Sequence, residues 1–423
     1  MRISWHVGLG RDLGLAFWAM TFFEATFGAF TSIWPLWIED RGAPIAMVGI
    51  VLGSAGFVRP FVIGPSSWLT ERFDRKWLLI TSRSLGIAGL LVAAFAGSWP
   101  ILFITVVLNG MSELVFPVLQ SYIAERSTEN RARAFSMIVN VGPSFALIVT
   151  PLVSGLMIAQ WGMQSAFFLA SFTSLGSILF LSRMDFSTLP DDDDTDTTSA
   201  RSYGAAFNHG EIRSLFIVHG LTILALAVGV SLVPIFLSEV RGLEPGLISS
   251  LGASAAVGTV LFGLWVSRST RLAANPLAAS AIACGAISAG LLIFAFGSAM
   301  HWIVLAFFLR GGMFATWAMI LARMGEVAPA RLRSRAFAVV EILGGSAMSF
   351  GPIIASVLYG FDPGSPIIVG AFLGGLMAIR LGWMQRRGPT REPASAPANQ
   401  QPESNLMPIG CDAPCYHPPD TRI

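Results

Sequence analysis

Apolar residues occur along this chain in twelve long runs that short polar segments separate. The runs cover roughly residues 13–38, 45–69, 77–97, 99–124, 133–159, 163–182, 212–238, 246–267, 275–298, 300–323, 335–360 and 364–383. Each run has about 20 residues or more, the length that an α-helix needs to cross a bilayer. Strands of a membrane barrel would alternate apolar and polar positions, and these runs do not. The pattern therefore predicts an all-α membrane protein with twelve transmembrane helices.

The composition agrees with a membrane protein and excludes several classes of function. Of the 423 residues, 54% are hydrophobic and only 12% are charged, whereas soluble domains have about 25% charged residues. The sequence contains no phosphate-binding loop of the Gly-x-x-x-x-Gly-Lys-Ser/Thr type, no dinucleotide fingerprint, no catalytic triad and no metal-ligand cluster. We therefore expect no enzymatic activity, no cofactor, no metal and no nucleic-acid partner.

The second half of the chain repeats features of the first half. Arg133-Ala134-Phe135 is matched by Arg335-Ala336-Phe337, 202 residues later, and Pro151 is matched by Pro352, 201 residues later. The repeat predicts two six-helix bundles at 1–182 and 212–385, a cytoplasmic linker at 183–211 and a disordered cytoplasmic tail at 386–423. Membrane proteins with two similar halves commonly bind a substrate between them and rock one half against the other.

Positive charge is distributed very unevenly between the two ends of the predicted helices. Of the 27 Lys and Arg residues, we place Arg41 and Arg241 in loops on one side and Arg59 and Arg310 inside spans, which leaves 27 − 4 = 23 on the opposite side or in its helix ends. Loops rich in Lys and Arg face the cytoplasm. We therefore expect both termini and the linker in the cytoplasm of a cell whose cytoplasmic (inner) membrane holds the chain.

The loop after the second run reads Ser67-Trp68-Leu69-Thr70-Glu71-Arg72-Phe73-Asp74-Arg75-Lys76. It resembles the Gly-x-Leu-x-Asp-Arg-x-Gly-Arg-Arg/Lys signature between helices two and three of the major facilitator superfamily (MFS). Arg72, Arg75 and Lys76 match, whereas Ser67, Glu71 and Asp74 depart from the family residues. A fainter copy at 263–271 ends in Arg268 and Arg271. The resemblance implies two pseudo-symmetric six-helix bundles and secondary transport.

The same resemblance predicts a gating loop on the basic side of the membrane. Its predicted members are Glu71, Arg72, Asp74, Arg75, Lys76, Arg133, Arg268, Arg271 and Arg335. A carboxylate at a helix end can pair with guanidinium groups of neighbouring helices when a gate is closed, and opening must break those pairs. The alternative is that each Arg only anchors its loop in the cytoplasm.

Prolines inside two apolar runs predict kinked helices. Gly142-Pro143 and Thr150-Pro151, with Gly155, resemble a Gly-Pro motif that the superfamily associates with antiporters, and Pro352 is the counterpart in the second half. Proline removes a helix hydrogen bond and bends the span. The alternative interpretation is a packing kink at the contact between the halves.

Five ionisable residues lie inside predicted spans, where such residues are costly and commonly functional. They are Glu24, Arg59, Glu113, Arg310 and Glu341. The first four lie about 15–20 Å from the basic side at about 1.5 Å per residue, while Glu341 lies only six residues into its run. The resemblance implies that helices one, four, seven and ten line the cavity, which makes Glu24, Glu113 and Arg310 cavity candidates. Further polar candidates are Asn109, Gln120, Asn140 and His219.

These charges lead to a functional prediction with open alternatives. Either Glu24 or Glu113 is the predicted proton carrier, unless Glu24–Arg59 and Glu113–Arg310 are fixed structural pairs. We expect proton-coupled export of a small, partly apolar organic compound by a monomer in the lipid bilayer. Proton-coupled uptake of an organic acid or a sugar-like metabolite is the first alternative. A membrane receptor that does not transport is the second.

Overall fold

The computed structural model describes residues 5–63, 69, 72–127, 134, 136–186, 210–328 and 330–387. Glu71 and Arg133 of the predicted gating loop lie outside these residues, as do most of the predicted linker and tail. The helices that contain Arg59, Gln120 and Arg335 are described, but the side chains of these three residues are not.

The first half of the described chain contains eight α-helices. They are α1 Arg11–Phe30, α2 Trp34–Asp40, α3 Ile45–Ile63, α4 Arg75–Phe95, α5 Leu102–Ser112, α6 Val115–Arg126, α7 Gly142–Trp161 and α8 Gln164–Leu181. A 3₁₀ turn, Trp99–Ile101, precedes α5, and a π-helical turn, Ser136–Val141, precedes α7.

The second half follows the same order. Its helices are α9 Gly210–Val230, α10 Val233–Glu239, α11 Pro245–Arg268, α12 Thr270–Ala273, α13 Pro276–Phe296, α14 Met300–Arg310, α15 Gly312–Val327, α16 Ala330–Tyr359 and α17 Ser365–Arg387. Within the described residues, ten helical segments are long and apolar enough to cross a membrane, and two shorter apolar helices lie in the second and fourth predicted spans. The predicted all-α membrane fold is confirmed.

Four of the spans are interrupted, at corresponding places in the two halves. The first span breaks between α1 and α2, and its counterpart breaks between α9 and α10. Pro35 and Pro234 each stand in the first turn of the helix that follows the break. A backbone N–H at this position would have no acceptor within the helix, so a proline, which lacks the N–H, is tolerated there. The fourth span breaks after α5, and its counterpart breaks after α14. Paired broken helices of this kind indicate where a transporter binds its substrate.

The two ends of the helix bundle differ in charge. The basic end carries Arg75, Lys76, Arg126, Arg268 and Arg271, and the opposite end, called the far end below, carries the turns after α2 and α10. The main contacts between the halves are α7 with α11 and α3 with α16. Both contacts lie towards the far end of the bundle. The basic-end helices α6 and α15 make their main contacts within their own halves.

Small residues allow the halves to approach closely at this far seam, defined as the α7–α11 and α3–α16 contacts. A methyl group at Gly155 would overlap the hydroxyl of Ser250 and the carbonyl oxygen of Gly246. Gly53 on α3 is equally close to the backbone of Ser349 on α16. Helices in membranes associate through such small residues because their backbones then pack directly.

The predicted kink residues occupy this seam. Pro151 packs against Gly28 of α1 and Gly252 of α11, and a methyl group at Gly49 would lie 2.6 Å from the carbonyl oxygen of Pro352. This placement agrees with the packing interpretation of the prolines. Pro143 lies elsewhere, at the second position of α7.

Gly155→Val is expected to weaken the far seam. The added side chain must displace Ser250 and the backbone of α11, and overpacking of this kind costs about 1–3 kcal/mol. Ser98 and Ser298 are exposed residues in far-end loops of opposite halves. The distance between spin labels at these two positions, measured by double electron–electron resonance, should therefore become longer. Gly263→Val on α11 is the matched control because no atom lies within 4 Å of the added carbon. An unchanged distance in the Gly155 variant would contradict this account.

Candidate functional site

A buried arginine organises the polar interior of the first half. Arg83 on α4 is only 1% exposed. Its terminal nitrogens donate to Ser174 Oγ on α8 at 2.7 Å, to Thr26 Oγ1 on α1 at 3.2 Å and to Ser112 Oγ on α5 at 3.5 Å. The guanidinium carbon also lies 4.5 Å from the centre of the Phe23 ring. Arg83 therefore joins four helices of one half.

One carboxyl group lies beside this arginine, and a second lies near the first. Glu24 is half-buried on α1 and interacts electrostatically with both Arg83 and Glu113. Glu113 is the residue at which α5 ends, so it stands at the break of the fourth span. We call Glu24, Thr26, Arg83, Ser112, Glu113 and Ser174 the Arg83 cluster. The structure thus brings the two predicted proton carriers together, in a group with one cation and two carboxyls.

Arg83 was not selected from the sequence as an intramembrane residue. It was one of the 23 Lys and Arg residues placed on the basic side or in its helix ends, and it lies six residues into the run 77–97. Arg83 is therefore an intramembrane arginine in addition to the two predicted. The position within the run was a usable signal, since Glu341 was selected at the same depth.

Of the two pairs predicted as an alternative, Glu113–Arg310, whose residues are both described, is not formed, and Glu24–Arg59 stays a prediction. The cation beside Glu24 is Arg83, whereas the side chain of Arg59 is not among those described. Arg310, the last residue of α14, stands at the break of the tenth span and lies 5.8 Å from the Phe307 ring centre. Among the described residues, Arg310 forms no ion pair.

A second polar group lies in the C-terminal half. His219 on α9 is fully buried and packs edge-on against Trp317 of α15, with ring centres 5.0 Å apart. The Trp317 indole donates to Glu341 Oε1 on α16 at 3.0 Å. Within the described part of the chain, both ring nitrogens of His219 and the hydroxyl of Thr222 have no hydrogen-bond partner. We call His219, Thr222, Trp317 and Glu341 the His219 cluster.

Glu341 lies near the basic end of its span. Helix α16 begins at Ala330, but the candidate membrane span within it begins at Val339, so Glu341 lies 341 − 339 = 2 residues into that span. Its side chain is exposed on the surface of the described protein.

Asn109 and Asn140, whose side chains are described, lie outside these two clusters. The amide nitrogen of Asn109 is 3.3 Å from the position that a methyl group at Gly89 would occupy, so Asn109 faces α4. Asn140 is exposed in the π-helical turn before α7. Single π-helical turns are frequent at functional sites.

The predicted gating residues within the described chain lie at helix ends. Asp74 caps α4, its carboxylate accepting from the backbone N–H of Trp77 at 3.0 Å with an ordinary backbone φ of −54°. The turn therefore does not need the glycine of the family pattern. Arg72 precedes this cap, Arg75 and Lys76 begin α4, Arg268 ends α11 and Arg271 lies in α12.

Among the residues that the structure describes, two ion pairs at the basic end connect different helices of the same half. Arg126 on α6 lies 3.4 Å from Asp12 on α1, and Arg323 on α15 lies 2.8 Å from Glu211 on α9. The pairs occupy corresponding places in the two halves. Each pair connects two helices of one half. The gating hypothesis stays a prediction.

Comparisons with known proteins agree with this architecture. A family model described as Major Facilitator Superfamily matches residues 16–352. The uncharacterized MFS-type transporter YcnB of Bacillus subtilis (strain 168) is 29% identical over 106 residues, covering 25% of this chain and 22% of that protein. The multidrug resistance protein MdtH of Shigella dysenteriae serotype 1 (strain Sd197) is 24% identical over 181 residues, covering 42% of this chain and 43% of that protein. The matches thus span less than half the length of either curated relative.

A solved structure extends the likeness to nearly the whole fold. The crystal structure of the nucleoside transporter NupG superposes with a TM-score of 0.71 and 15% identity, covering 88% of this chain and 99% of that chain. At this identity the likeness concerns the fold alone.

Proposed function

Since this chain belongs to the Major Facilitator Superfamily, we propose that it exports a small, partly apolar organic compound in exchange for protons. The observation that carries this proposal is the Arg83 cluster, in which Glu24 shares its surroundings with one arginine and a second carboxyl. A membrane-embedded acid of this kind is a default candidate for a proton relay. The basic end faces the cytoplasm in this proposal, as the distribution of Lys and Arg predicts.

The chemistry of the Arg83 cluster suits reversible protonation of Glu24. A neighbouring carboxyl group generally favours the neutral form of an acid and a neighbouring guanidinium favours its carboxylate, and Glu24 has one neighbour of each kind. A modest change in the separation of these groups, or in access of water, therefore changes the proton occupancy. Arg83 is fixed by hydroxyl groups on three other helices, so movement of Glu24 or Glu113 supplies the change.

The contacts between the two halves support transport by alternating access. The halves are joined along the far seam, while α6 and α15 at the basic end make their main contacts within their own halves. Rocking about the central region would open the far seam and bring the basic ends together. Substrate and protons would then reach the same cavity from opposite sides in turn.

Aromatic side chains of the first span pack mainly against α8, so few of them are available to line a binding pocket. Phe30 and Trp34 both pack on Phe167 of α8 at ring-centre distances of 5.8 Å, and Phe22 stacks on Phe180 at 5.7 Å. These rings hold α1 against α8. The apolar character of the substrate is therefore supported mainly by the scarcity of charge in the interior, and by MdtH, which is named as a multidrug resistance protein.

Uptake of an organic anion with protons is the second candidate. The observation in its favour is Arg310, which forms no ion pair among the described residues and stands at a helix break that corresponds to that of Glu113. A carboxylate on the substrate would form an ion pair with the guanidinium group of Arg310.

Proton release from the purified protein in detergent tests both candidates. Adding lipophilic cations, neutral drugs and organic anions in turn should release protons with a cation or a neutral drug. The release should vanish in Glu24→Gln/Glu113→Gln and persist in Glu244→Gln, whose carboxyl is exposed at the far end. No release with any drug, together with an anion response that Arg310→Ala removes, would overturn export in favour of uptake. Accumulation in everted vesicles, compared with whole cells, then gives the direction.

A further inference from the structure

Two glutamates from opposite halves meet at the far end of the molecule. Glu39 lies near the end of α2 and Glu239 ends α10, so both belong to the far-end pieces of the broken first and seventh spans. Helices α2 and α10 contact each other across the two halves, and the side chains of Glu39 and Glu239 interact there. The hydroxyl of Tyr359, a buried residue at the end of α16, donates to Glu239 Oε2. Glu39 is half-buried and Glu239 is exposed, so the pair is open to solvent at the far end.

Two carboxyl groups that approach each other form a hydrogen bond only when one of them carries a proton. Two carboxylates have only acceptor oxygens, and like charges in close contact repel each other. Carboxyl pairs in close contact therefore share one proton. The tyrosine donates to the pair, but it cannot replace the proton between the two acids.

No nearby cation neutralises the pair among the described residues. Arg41 pairs with Asp40 and donates to the carbonyl oxygen of Ala96 at 3.2 Å. Arg241 donates to the carbonyl oxygens of Ala295 at 2.6 Å and Phe294 at 3.4 Å. Each arginine thus ties a far-end turn to the helix end of its own half, and neither bridges the seam.

Further acidic groups lie in the far-end turns and helix ends. Asp40 follows Glu39 on α2 and is exposed. Glu244 precedes α11 and is exposed, and Asp362, beyond α16, accepts from the backbone N–H of Gly364 at 3.0 Å. Of these, Asp40 interacts with Glu39, and its negative charge opposes two carboxylates and favours a bound proton.

We propose that Glu39, Glu239 and Tyr359 form a second proton site, whose occupancy holds the two halves closed at the far end. When the halves separate, α2 and α10 part, each carboxyl is hydrated and the shared proton leaves. The closed seam then binds one proton more than the open seam, so acid on the far side favours closure and rising pH favours opening. The site is distinct from the Arg83 cluster and does not depend on which compound the protein carries.

The pattern that marks this site repeats in the sequence. Glu39-Asp40-Arg41-Gly42 is matched by Glu239-Val240-Arg241-Gly242 at a separation of 200 residues, and both glycines have positive φ, 85° and 67°. Each half therefore ends its first span with the same turn. The two copies bring identical acids face to face because the halves are related by pseudo-symmetry.

The test measures the distance between two far-end spin labels as a function of pH. It uses a variant in which the carboxyl groups of the Arg83 cluster have been replaced and bind no proton. Spin labels are placed at Ser98→Cys and Ser298→Cys in a Glu24→Gln/Glu113→Gln background, with Cys411→Ser and Cys415→Ser and the buried Cys284 retained. In lipid nanodiscs, the fraction of long distances should rise several-fold between about pH 5 and about pH 8, a range that spans the ordinary and shifted titration of carboxyl groups. Adding Glu39→Gln/Glu239→Gln should remove this dependence and leave the short distance at both pH values.

Two further variants separate proton binding from simple damage to the seam. Glu39→Lys places a cation opposite Glu239 and should keep the short distance at both pH values. Glu244→Gln, which removes a nearby carboxylate outside the pair, should keep the pH dependence. A pH-independent distance in the Glu24→Gln/Glu113→Gln background, or the full pH dependence in Glu39→Gln/Glu239→Gln, would overturn the second proton site. Either result would leave the test of export by proton release unaffected.

Discussion

Glu24→Gln is expected to abolish proton-driven accumulation of the transported compound while exchange of that compound across the membrane continues. Glutamine has nearly the same shape as a protonated glutamate but cannot release a proton, so transport is no longer linked to the pH gradient. With one proton exchanged per neutral molecule, a gradient of one pH unit is worth about 1.4 kcal/mol and supports about tenfold accumulation. The variant should show an accumulation ratio of about one under the same gradient.

Proteoliposomes with an imposed pH gradient give this ratio directly, using a compound that causes proton release from the wild-type protein. Counterflow of the same compound, measured without a gradient, reports whether Glu24→Gln still binds and moves it. Glu244→Gln serves as the matched control at an exposed position. Wild-type accumulation in both Glu24→Gln and Glu113→Gln would show that neither residue carries the proton. Loss in Glu113→Gln alone would transfer the role to Glu113.

Arg83→Met is expected to be among the most destabilising single changes in the first half. The substitution leaves Glu24 beside Glu113 without its cation and removes donors to Ser174, Thr26 and Ser112. Removing one partner from a buried charged group costs about 3 kcal/mol or more. We expect a loss of this size in the free energy of unfolding, and a loss of proton-driven accumulation in whatever fraction remains folded.

Unfolding in mixed micelles of increasing denaturing detergent measures this free energy. Arg380→Met is the matched control, since Arg380 is exposed on α17 and lies 4.6 Å from the Trp383 ring centre. Arg83→Lys keeps the charge without the forked geometry that reaches three hydroxyls, so an intermediate loss is expected. Equal stability of Arg83→Met and Arg380→Met would contradict the proposed role of Arg83 in holding the four helices together.

The far-end variants and the Arg83 variants report on different parts of the same cycle. Glu39 and Glu239 lie between the halves, so their substitution should change the balance between conformations with little change in the folding of either half. Arg83 lies within one half and joins α1, α4, α5 and α8, so its substitution should change stability. A protein with both sites would bind protons at its centre and at its far seam.

The sequence by itself determined the helical membrane fold, the near-repeat of the two halves and the unequal charge of the two ends. These properties depend on local composition: an apolar run of sufficient length must form a helix in lipid, since no other arrangement satisfies its backbone. The same local reasoning selected Glu24, Glu113 and Arg310, because a charge within an apolar run is visible without any contact map. It also identified Pro151 and Pro352, whose backbone effect is local.

Only the tertiary structure decided which of these groups meet. Arg83 reaches Thr26 across 57 residues and Ser174 across 91 residues, and Glu39 meets Glu239 across 200 residues. Such contacts depend on how helices pack and on where their small residues let them approach, which no single run encodes. Arg83 was therefore not selected as a neighbour of Glu24 although Glu24 itself was selected, because depth in the membrane follows from the run and the identity of a neighbour follows from packing.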